Sequence, residues 1–202
     1  GLTTQTIIAG LKEALQVGAE KTVAATSREG GYLENAAIRI PMPEKLEGMA
    51  NSLRKIGLGA QVNRFETRMN QAAELAAREA APVFIDAIKG MSIADAKGIL
   101  QGDATAATEY FRRKTSARLR QRYQPIVTRQ MEKLGAVSLY KDLQNRYNSI
   151  PLVPKLDASV EDYVADEALN GLFHVLGEEE KRIREDPAAR TTELLRRVFG
   201  GQ

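Results

Sequence analysis

The sequence predicts an all-α protein without a β-sheet. Apolar residues recur at helical spacings of three and four through nearly the whole chain of 202 residues. Glycine and proline interrupt this pattern at places that suit helix ends. No segment shows sustained period-two alternation, and none has the pattern of an Asn-Gly or Asp-Gly hairpin. These observations predict a series of helices joined by turns.

The first predicted helix runs from about Thr4 to Thr26, with its apolar side chains on one stripe. It ends before Gly30-Gly31, which readily adopt positive φ angles. Residues 28–43 then form the longest irregular segment, because Pro41 and Pro43 forbid a continuous helix there.

Pro43 opens a second predicted helix, and Gly57 ends it. A third helix follows almost at once, and its many alanines permit close approach of a neighbouring helix. We expect Pro82 to kink this helix or to restart it as a short helix through Ile88.

Ser92 and Asp95 have the spacing of a capping box at the start of the next short helix. Asp103 is predicted to cap a long helix that runs to Leu134 and is kinked near Pro125.

Gly135 separates the long helix from one around residues 137–147. A second irregular segment covers residues 148–158, and a further helix with an apolar face occupies about residues 160–183. Asp186-Pro187 is typical of a helix start and predicts a last helix after it.

Short glycine turns between successive helices favour antiparallel pairing. We therefore predict one helical domain over residues 1–202, as a multi-helix bundle or as an irregular superhelical stack of antiparallel helical hairpins. Tetratricopeptide-like packing is compatible with such hairpins, although the pattern of that repeat, of about 34 residues, is absent.

The composition limits the kinds of site that the chain can build. It contains no cysteine, and no apolar run approaches the ~20 residues of a membrane-spanning helix. His174 is the only histidine, and we interpret it as structural. Glu178–Glu180 fan out around a helix, so we expect solvation or pairing with Lys181, Arg182 and Arg184. We predict no catalytic residue, cofactor or metal.

Basic residues concentrate between Arg112 and Lys133. This segment has a formal charge of +7, whereas the remainder of the chain has −4. Such a strip suits phosphates of nucleic acids, anionic lipid head groups or a partner protein, or it is a solvated face balanced by acidic neighbours. The predicted basic surface consists of Arg112, Arg113, Lys114, Arg118 and Arg122.

Several motifs together resemble one bacterial family, domain of unknown function 4197, over nearly the whole chain. The motifs are Phe65…Met69-Asn70…Ala72-Ala73-Glu74, Ala107-Thr108…Tyr110-Phe111-Arg112…Lys114-Thr115, Pro125-Ile126-Val127, Asp162-Tyr163-Val164…Ala168-Leu169…Gly171-Leu172-Phe173, and Asp186-Pro187-Ala188-Ala189-Arg190-Thr191-Thr192.

The resemblance implies an exported protein of Gram-negative bacteria, with no catalytic residue to carry over. It also implies similarity to a bacterial sterol transporter of the outer membrane. We therefore expect a periplasmic protein that contacts a membrane surface and partner transport proteins, and the resemblance leaves open a lipid anchor in the outer membrane. An exported location argues against nucleic acid as a partner.

The predicted function is non-catalytic binding of a sterol or related polycyclic lipid for trafficking through the periplasm. The alternative is a protein interaction or envelope scaffold module that uses the basic helix. Burial of a lipid in a Met- and aromatic-rich interior stabilises it by about 25 cal/mol per Å². The predicted apolar wall is Phe65, Met69, Tyr110, Phe111, Leu172 and Phe173. The groups predicted to bind a hydroxyl are Asn70, Tyr163 and Arg112.

Overall fold

The computed structural model describes residues 3–151 and 160–185 of the chain. Within these ranges every regular element is helical and no β-strand forms, which confirms the all-α prediction. None of the described helices is long and apolar enough to cross a membrane. In chain order they are α1 (Thr4–Ser27), a 3₁₀ turn (Glu44–Leu46), α2 (Glu47–Lys55), α3 (Gly59–Ala77), α4 (Ala80–Lys89), α5 (Ile93–Gln101), α6 (Ala106–Lys133), α7 (Ala136–Asn148) and α8 (Glu161–Glu185).

Some predicted features lie outside the described residues. They are most of the irregular segment 148–158 and the last helix after Asp186-Pro187. The predicted irregular segment 28–43 is present, since its residues form bends, turns and unassigned backbone without a helix or strand.

Local chemistry explains several helix ends. Gly57 and Gly135 have φ angles of 88° and 73°, a region that glycine enters without steric cost. The predicted capping box is also confirmed. The Ser92 hydroxyl accepts the Asp95 N–H at 3.0 Å, and the Asp95 carboxylate accepts the Ser92 N–H at 3.1 Å.

Two prolines have different surroundings. α3 ends at Ala77 and α4 begins at Ala80, so Pro82 lies in the first turn of α4, where its missing N–H breaks no helical hydrogen bond. The predicted restart is thus confirmed. Pro125 lies inside α6, which continues to Lys133.

The start of α6 differs from the prediction. Asp103 accepts the N–H of Thr105, but α6 begins only at Ala106. Instead, the Glu180 carboxylate of α8 accepts the N–H groups of Ala107 and Thr108 at 2.7 and 2.9 Å. A buried carboxylate from another helix therefore satisfies the first N–H groups of α6, a relation that local spacing does not reveal.

The acidic run on α8 is paired, as the sequence suggested, but mostly buried. Glu180 accepts Arg184 Nε at 3.1 Å, and Glu179 accepts Arg182 Nη1 at 3.1 Å. The alternative prediction, that these glutamates are solvated, is wrong for Glu179 and Glu180, because both are buried.

His174 does not pack on the apolar face of α8. Its side chain is exposed, and its Nε2 lies 2.8 Å from the Glu178 carboxylate, four residues later on the same helix. Its neighbours in sequence, Phe173 and Val175, are buried.

Contacts divide the chain into two compact units. The first unit contains residues 1–26, 78–119 and 172–202, and the second contains residues 27–77 and 120–171. Each unit is assembled from segments distant in sequence, and α6 and α8 contribute residues to both. A single domain over residues 1–202 stays a prediction.

The core of the first unit contains an aromatic cluster. The Phe84 ring lies 5.3 Å from that of Phe111 and 6.2 Å from that of Phe173, both in edge-to-face geometry. Tyr110 packs edge-on against Phe111 at 5.8 Å. Such pairs add about 0.5–1.5 kcal/mol each beyond the burial of their surface.

In the second unit, segment 28–43 is anchored by a buried carboxylate. Glu74 of α3 accepts the backbone N–H groups of Gly30, Tyr32 and Leu33, each at 3.1 Å. Three hydrogen bonds to one carboxyl group give this irregular backbone a fixed path.

Candidate functional site

Two open pockets lie on the first unit, and Tyr110 lines both of them. The α4–α6 pocket has a volume of about 220 Å³ and is lined by Val83, Asp86, Ala87, Gly90, Tyr110, Lys114, Thr115 and Arg118. The α5–α6 pocket has a volume of about 400 Å³ and is lined by Ala94, Asp95, Gly98, Ile99, Gly102, Asp103, Ala106, Glu109, Tyr110 and Arg113. Both combine small or apolar residues with charged side chains.

Tyr110 is the side chain that the two pockets share. Burial raises the pKa of its hydroxyl, and the charge of Asp95 and a hydrogen bond to it raise the pKa further. Hydrogen bonds from Ser92 lower the pKa of Asp95, and the charges of Lys114 and Arg113 assist. The folded protein therefore favours a neutral phenol at Tyr110 and an ionised carboxylate at Asp95.

Two cations at the rims of these pockets are free of ion pairs within residues 3–151 and 160–185. Arg113 and Lys114 are exposed, and no carboxylate described there lies within 4.0 Å of either charged group. Both are available to an external anion, because binding one breaks no ion pair of the fold.

The other predicted basic residues of the first unit already have partners. Arg118 Nη2 lies 2.9 Å from Asp86 Oδ2. The Arg112 guanidinium lies 3.9 Å from Glu109 and 4.8 Å from the centre of the Phe173 ring, a cation–π geometry. These arginines are balanced within the molecule.

Beyond Leu119 the basic residues of α6 belong to the second unit. Arg122 is half-buried there. Arg120 lies 3.7 Å from Asp162 and contacts Asp166 more closely. The predicted basic surface is therefore not a continuous set of uncompensated charges.

The six residues predicted to form an apolar wall are divided between the units. Phe65 and Met69 belong to the second unit, and the Phe65 ring packs 5.5 Å from that of Tyr140. The other four belong to the first: Tyr110, Phe111, Leu172 and Phe173. All six are buried, and of them only Tyr110 lines an open pocket described above. As lipid contacts they stay predictions.

Two small apolar pockets lie deeper in the first unit. Each has a volume of about 20 Å³, which is room for about one water molecule. Typical ligand pockets have about 300–1,000 Å³, so a polycyclic lipid requires these to open. The two pockets share Ala14, Leu15, Ala107, Glu180 and Ile183, and one also contacts Phe111.

Two of the predicted hydroxyl-binding groups have roles in the second unit. The Asn70 side-chain oxygen accepts the Ile40 N–H at 2.7 Å, and its nitrogen donates to the carbonyls of Ile40 and Glu66 at 2.9 and 2.8 Å. The Tyr163 hydroxyl donates to the Pro41 carbonyl at 2.7 Å. Both side chains hold segment 28–43, and their binding of a ligand stays a prediction.

Metal ligation finds no support in the part of the chain that the structure describes. No group of three or more histidine, aspartate or glutamate residues there is arranged to hold an ion. The carboxylates nearest the open pockets are instead paired with Ser92, Arg118 or Thr105.

Comparison with protein families decides the relationship that the motifs indicated. Residues 1–200 match the model described as Protein of unknown function (DUF4197). The chain belongs to the DUF4197 family. No curated protein and no solved structure matches it significantly.

Sequence reasoning on this DUF4197 protein missed Asp86 and Gly98 as pocket residues. A Cβ atom added at Gly98 would meet no atom within 4 Å, so this helical glycine faces open space rather than a packed neighbour. The signal in the sequence was an isolated glycine inside a short helix. Such a glycine lowers helix stability, so its presence often indicates a packing or functional role. Asp86 gave no signal, since its position depends on how α4 packs beside α6.

Proposed function

We propose that this DUF4197 protein is a non-catalytic lipid-binding protein whose ligand occupies the two pockets beside Tyr110. One observation carries the proposal: small and apolar pocket walls lie next to the cations Arg113 and Lys114, which form no ion pair within the described residues. An amphiphile with an anionic group requires both features in one place.

The energetics of such a site are favourable without any opening of the core. Apolar surface of the ligand gains about 25 cal/mol per Å² when it leaves water. Lysine and arginine near an anionic lipid surface contribute about 1 kcal/mol each. The Tyr110 ring is buried and packs against Phe111, so ordering it costs little on binding.

Filling one pocket tests the proposal. Gly98→Trp places an indole in the α5–α6 pocket, and the open space around its Cβ allows this without displacement of the backbone. We expect the variant to bind lipid at least tenfold more weakly in calorimetric titrations, because the indole occupies the volume that the lipid requires.

Gly48→Trp is the matched control, since Gly48 is also helical and its Cβ would also meet nothing within 4 Å. Gly48 lies on α2 in the second unit, so the control should bind lipid like the unmodified protein. Equal affinities of the two variants would reject the proposed pocket.

A sterol in the core is the second candidate. It is favoured by the two adjoining apolar pockets near Phe111, which together could open into one cavity. Thermophoresis with a sterol or hopanoid tests it, and Gly98→Trp should leave that binding unchanged. Absence of saturable binding to any such lipid would rule out the sterol.

We also propose the periplasm, beside the outer membrane, as the site of action, with transport proteins as partners. The support is the resemblance described from the motifs. Cell fractionation of the native host tests the location, and recovery of the protein in the cytoplasmic fraction would contradict it.

A further inference from the structure

We propose that the α4–α6 pocket binds a phosphoethanolamine head group, with the phosphate at Lys114 and Arg118 and the primary ammonium at Asp86. This inference rests on the proposed lipid-binding function and names the chemical class of the ligand.

The pocket has one positive and one negative side. Lys114 and Arg118 are four residues apart on α6, so their side chains lie one above the other on the same face. Asp86 projects from α4 on the opposite wall, where its carboxylate is 2.9 Å from Arg118. A phosphate and an ammonium joined by two carbons carry both charges that these side chains can pair with.

The carbonyl end of α4 strengthens the negative side. Ala87 and Gly90 line the pocket at the last turn of α4, where the helix dipole is negative. Asp86 adds a carboxylate to the same end, a combination that attracts a cation. Arg118 is this cation in the free protein, and the ligand ammonium would take its place in the complex.

Binding replaces the ion pair between Arg118 and Asp86 with contacts to the ligand. The Arg118 and Asp86 side chains are about half exposed, with 46% and 52% of their surface accessible, and such pairs contribute little to stability. When the ligand inserts, Arg118 exchanges the carboxylate for the phosphate, and Asp86 exchanges the guanidinium for the ammonium. Lys114 gains an ion-pair partner and loses none within the described residues.

The lining favours a primary ammonium over a quaternary one. Quaternary ammonium groups are recognised by cages of several aromatic rings. Tyr110 is the single aromatic residue of this lining, whereas the Asp86 carboxylate can accept hydrogen bonds from N–H donors. A head group with phosphate but no cation would leave Asp86 beside an anion.

Short-chain lipids below their micellar concentration test this selectivity. The full chain is titrated calorimetrically with dihexanoyl phosphatidylethanolamine, phosphatidylcholine and phosphatidylglycerol. We expect at least tenfold tighter binding of phosphatidylethanolamine, because only this head group satisfies both sides of the pocket.

Two conservative variants test the negative and the positive side of the α4–α6 pocket separately. Asp86→Asn should remove the tenfold preference for phosphatidylethanolamine without weakening the binding of phosphatidylglycerol. Lys114→Gln should weaken the binding of all three lipids. Asp142→Asn is the control for the first, since Asp142 is half exposed and paired with Arg146 at 3.1 Å. Lys133→Gln is the control for the second, because Lys133 is exposed at the far end of α6.

Free phosphoethanolamine distinguishes the sources of the head group. If free phosphoethanolamine displaces the lipid only at a concentration above that of the lipid, the ligand is a lipid that is held partly by its head group. Binding of free phosphoethanolamine as tight as that of the lipid supports the head-group pocket but overturns lipid binding as the function.

The two proposals fail in different ways. Equal affinity for the three lipids, with weaker binding by Gly98→Trp, overturns the head-group inference and leaves the lipid-binding function standing. No binding of any of the lipids or of free phosphoethanolamine overturns both.

Discussion

Glu180 satisfies the first backbone N–H groups of α6 while it is itself buried and paired with Arg184. Arg184 in turn donates to the Ile99 carbonyl at 2.7 Å, so one carboxylate connects α5, α6 and α8. A buried charge is tolerated only when it is fully hydrogen-bonded, which is the case here.

Neutralising Glu180 should therefore be costly. In Glu180→Gln the half-buried Arg184 loses its charge partner and the start of α6 loses its anion, so we expect a loss of about 2–4 kcal/mol in urea unfolding. Glu178→Gln is the control, because Glu178 is exposed and its partner His174 is exposed as well. Its expected loss is below about 0.5 kcal/mol, and equal losses would contradict this role of Glu180.

Tyr163 makes stability depend on pH in the alkaline range. Burial, followed by the charges of Glu167, Glu66 and Glu47, raises the pKa of its hydroxyl to about 12. The folded state thus favours the protonated phenol, and this contribution is present below about pH 10 and lost as the pH rises toward 12.

In Tyr163→Phe this alkaline loss is absent, so the free energy of unfolding should fall less steeply between pH 9 and 11 than in the unmodified protein. Urea unfolding at several pH values measures the two slopes. The difference is small, since the hydroxyl is partly exposed to solvent. Identical slopes would show that Tyr163 titrates alike in the folded and unfolded states.

Among the elements, α8 and segment 28–43 depend on one glycine for their contact. A Cβ atom at Gly171 would lie 2.7 Å from Tyr32 Cε1 and 3.1 Å from Ile38 Cβ. Tyr32 cannot move aside, because its N–H binds Glu74 and its hydroxyl donates to the Ala168 carbonyl. The close approach of segment and helix therefore requires a residue without a side chain.

Gly171→Ala should lower stability by about 1–3 kcal/mol through overpacking, despite the better helix propensity of alanine. Gly177→Ala on the same helix is the control. Its Cβ would meet Thr108 at 3.7 Å, an ordinary contact, so we expect unchanged or higher stability by up to about 1 kcal/mol. Thermal unfolding followed by circular dichroism ranks the two, and a stabilised Gly171→Ala would contradict the packing argument.

The elements were largely predictable because their determinants are local. Gly57, Gly135, Pro82 and the Ser92 capping box act within a few residues, and the helix ends follow them. The site was less predictable, because it depends on which helices are neighbours. Nothing near Glu180 in sequence indicates that it reaches the start of α6, 72 and 73 residues earlier.

The aromatic residues show the same limit. Periodicity correctly placed Phe65 and Phe173 on buried faces, but it could not show that they belong to different units. Burial follows from the pattern on one helix, whereas a shared binding wall requires the tertiary arrangement of several.

For the whole molecule, the order of segments implies coupled unfolding. Neither unit is a continuous stretch of chain, and the helices α6 and α8 run unbroken from residues of one unit to residues of the other. Helix formation is cooperative along the chain, so the loss of packing around half of such a helix weakens the other half. We expect a single transition for the two units.

The distribution of tyrosines allows a direct measurement of this coupling. Of the six tyrosines only Tyr110 lies in the first unit, so near-ultraviolet circular dichroism of a Tyr110→Phe protein detects tyrosines of the second unit alone. Far-ultraviolet circular dichroism reports the helices of both. In this background Glu180→Gln destabilises the first unit, and we expect both signals to shift to the same lower urea midpoint. A near-ultraviolet midpoint that stays in place, while part of the far-ultraviolet signal shifts, would mean that the units unfold independently.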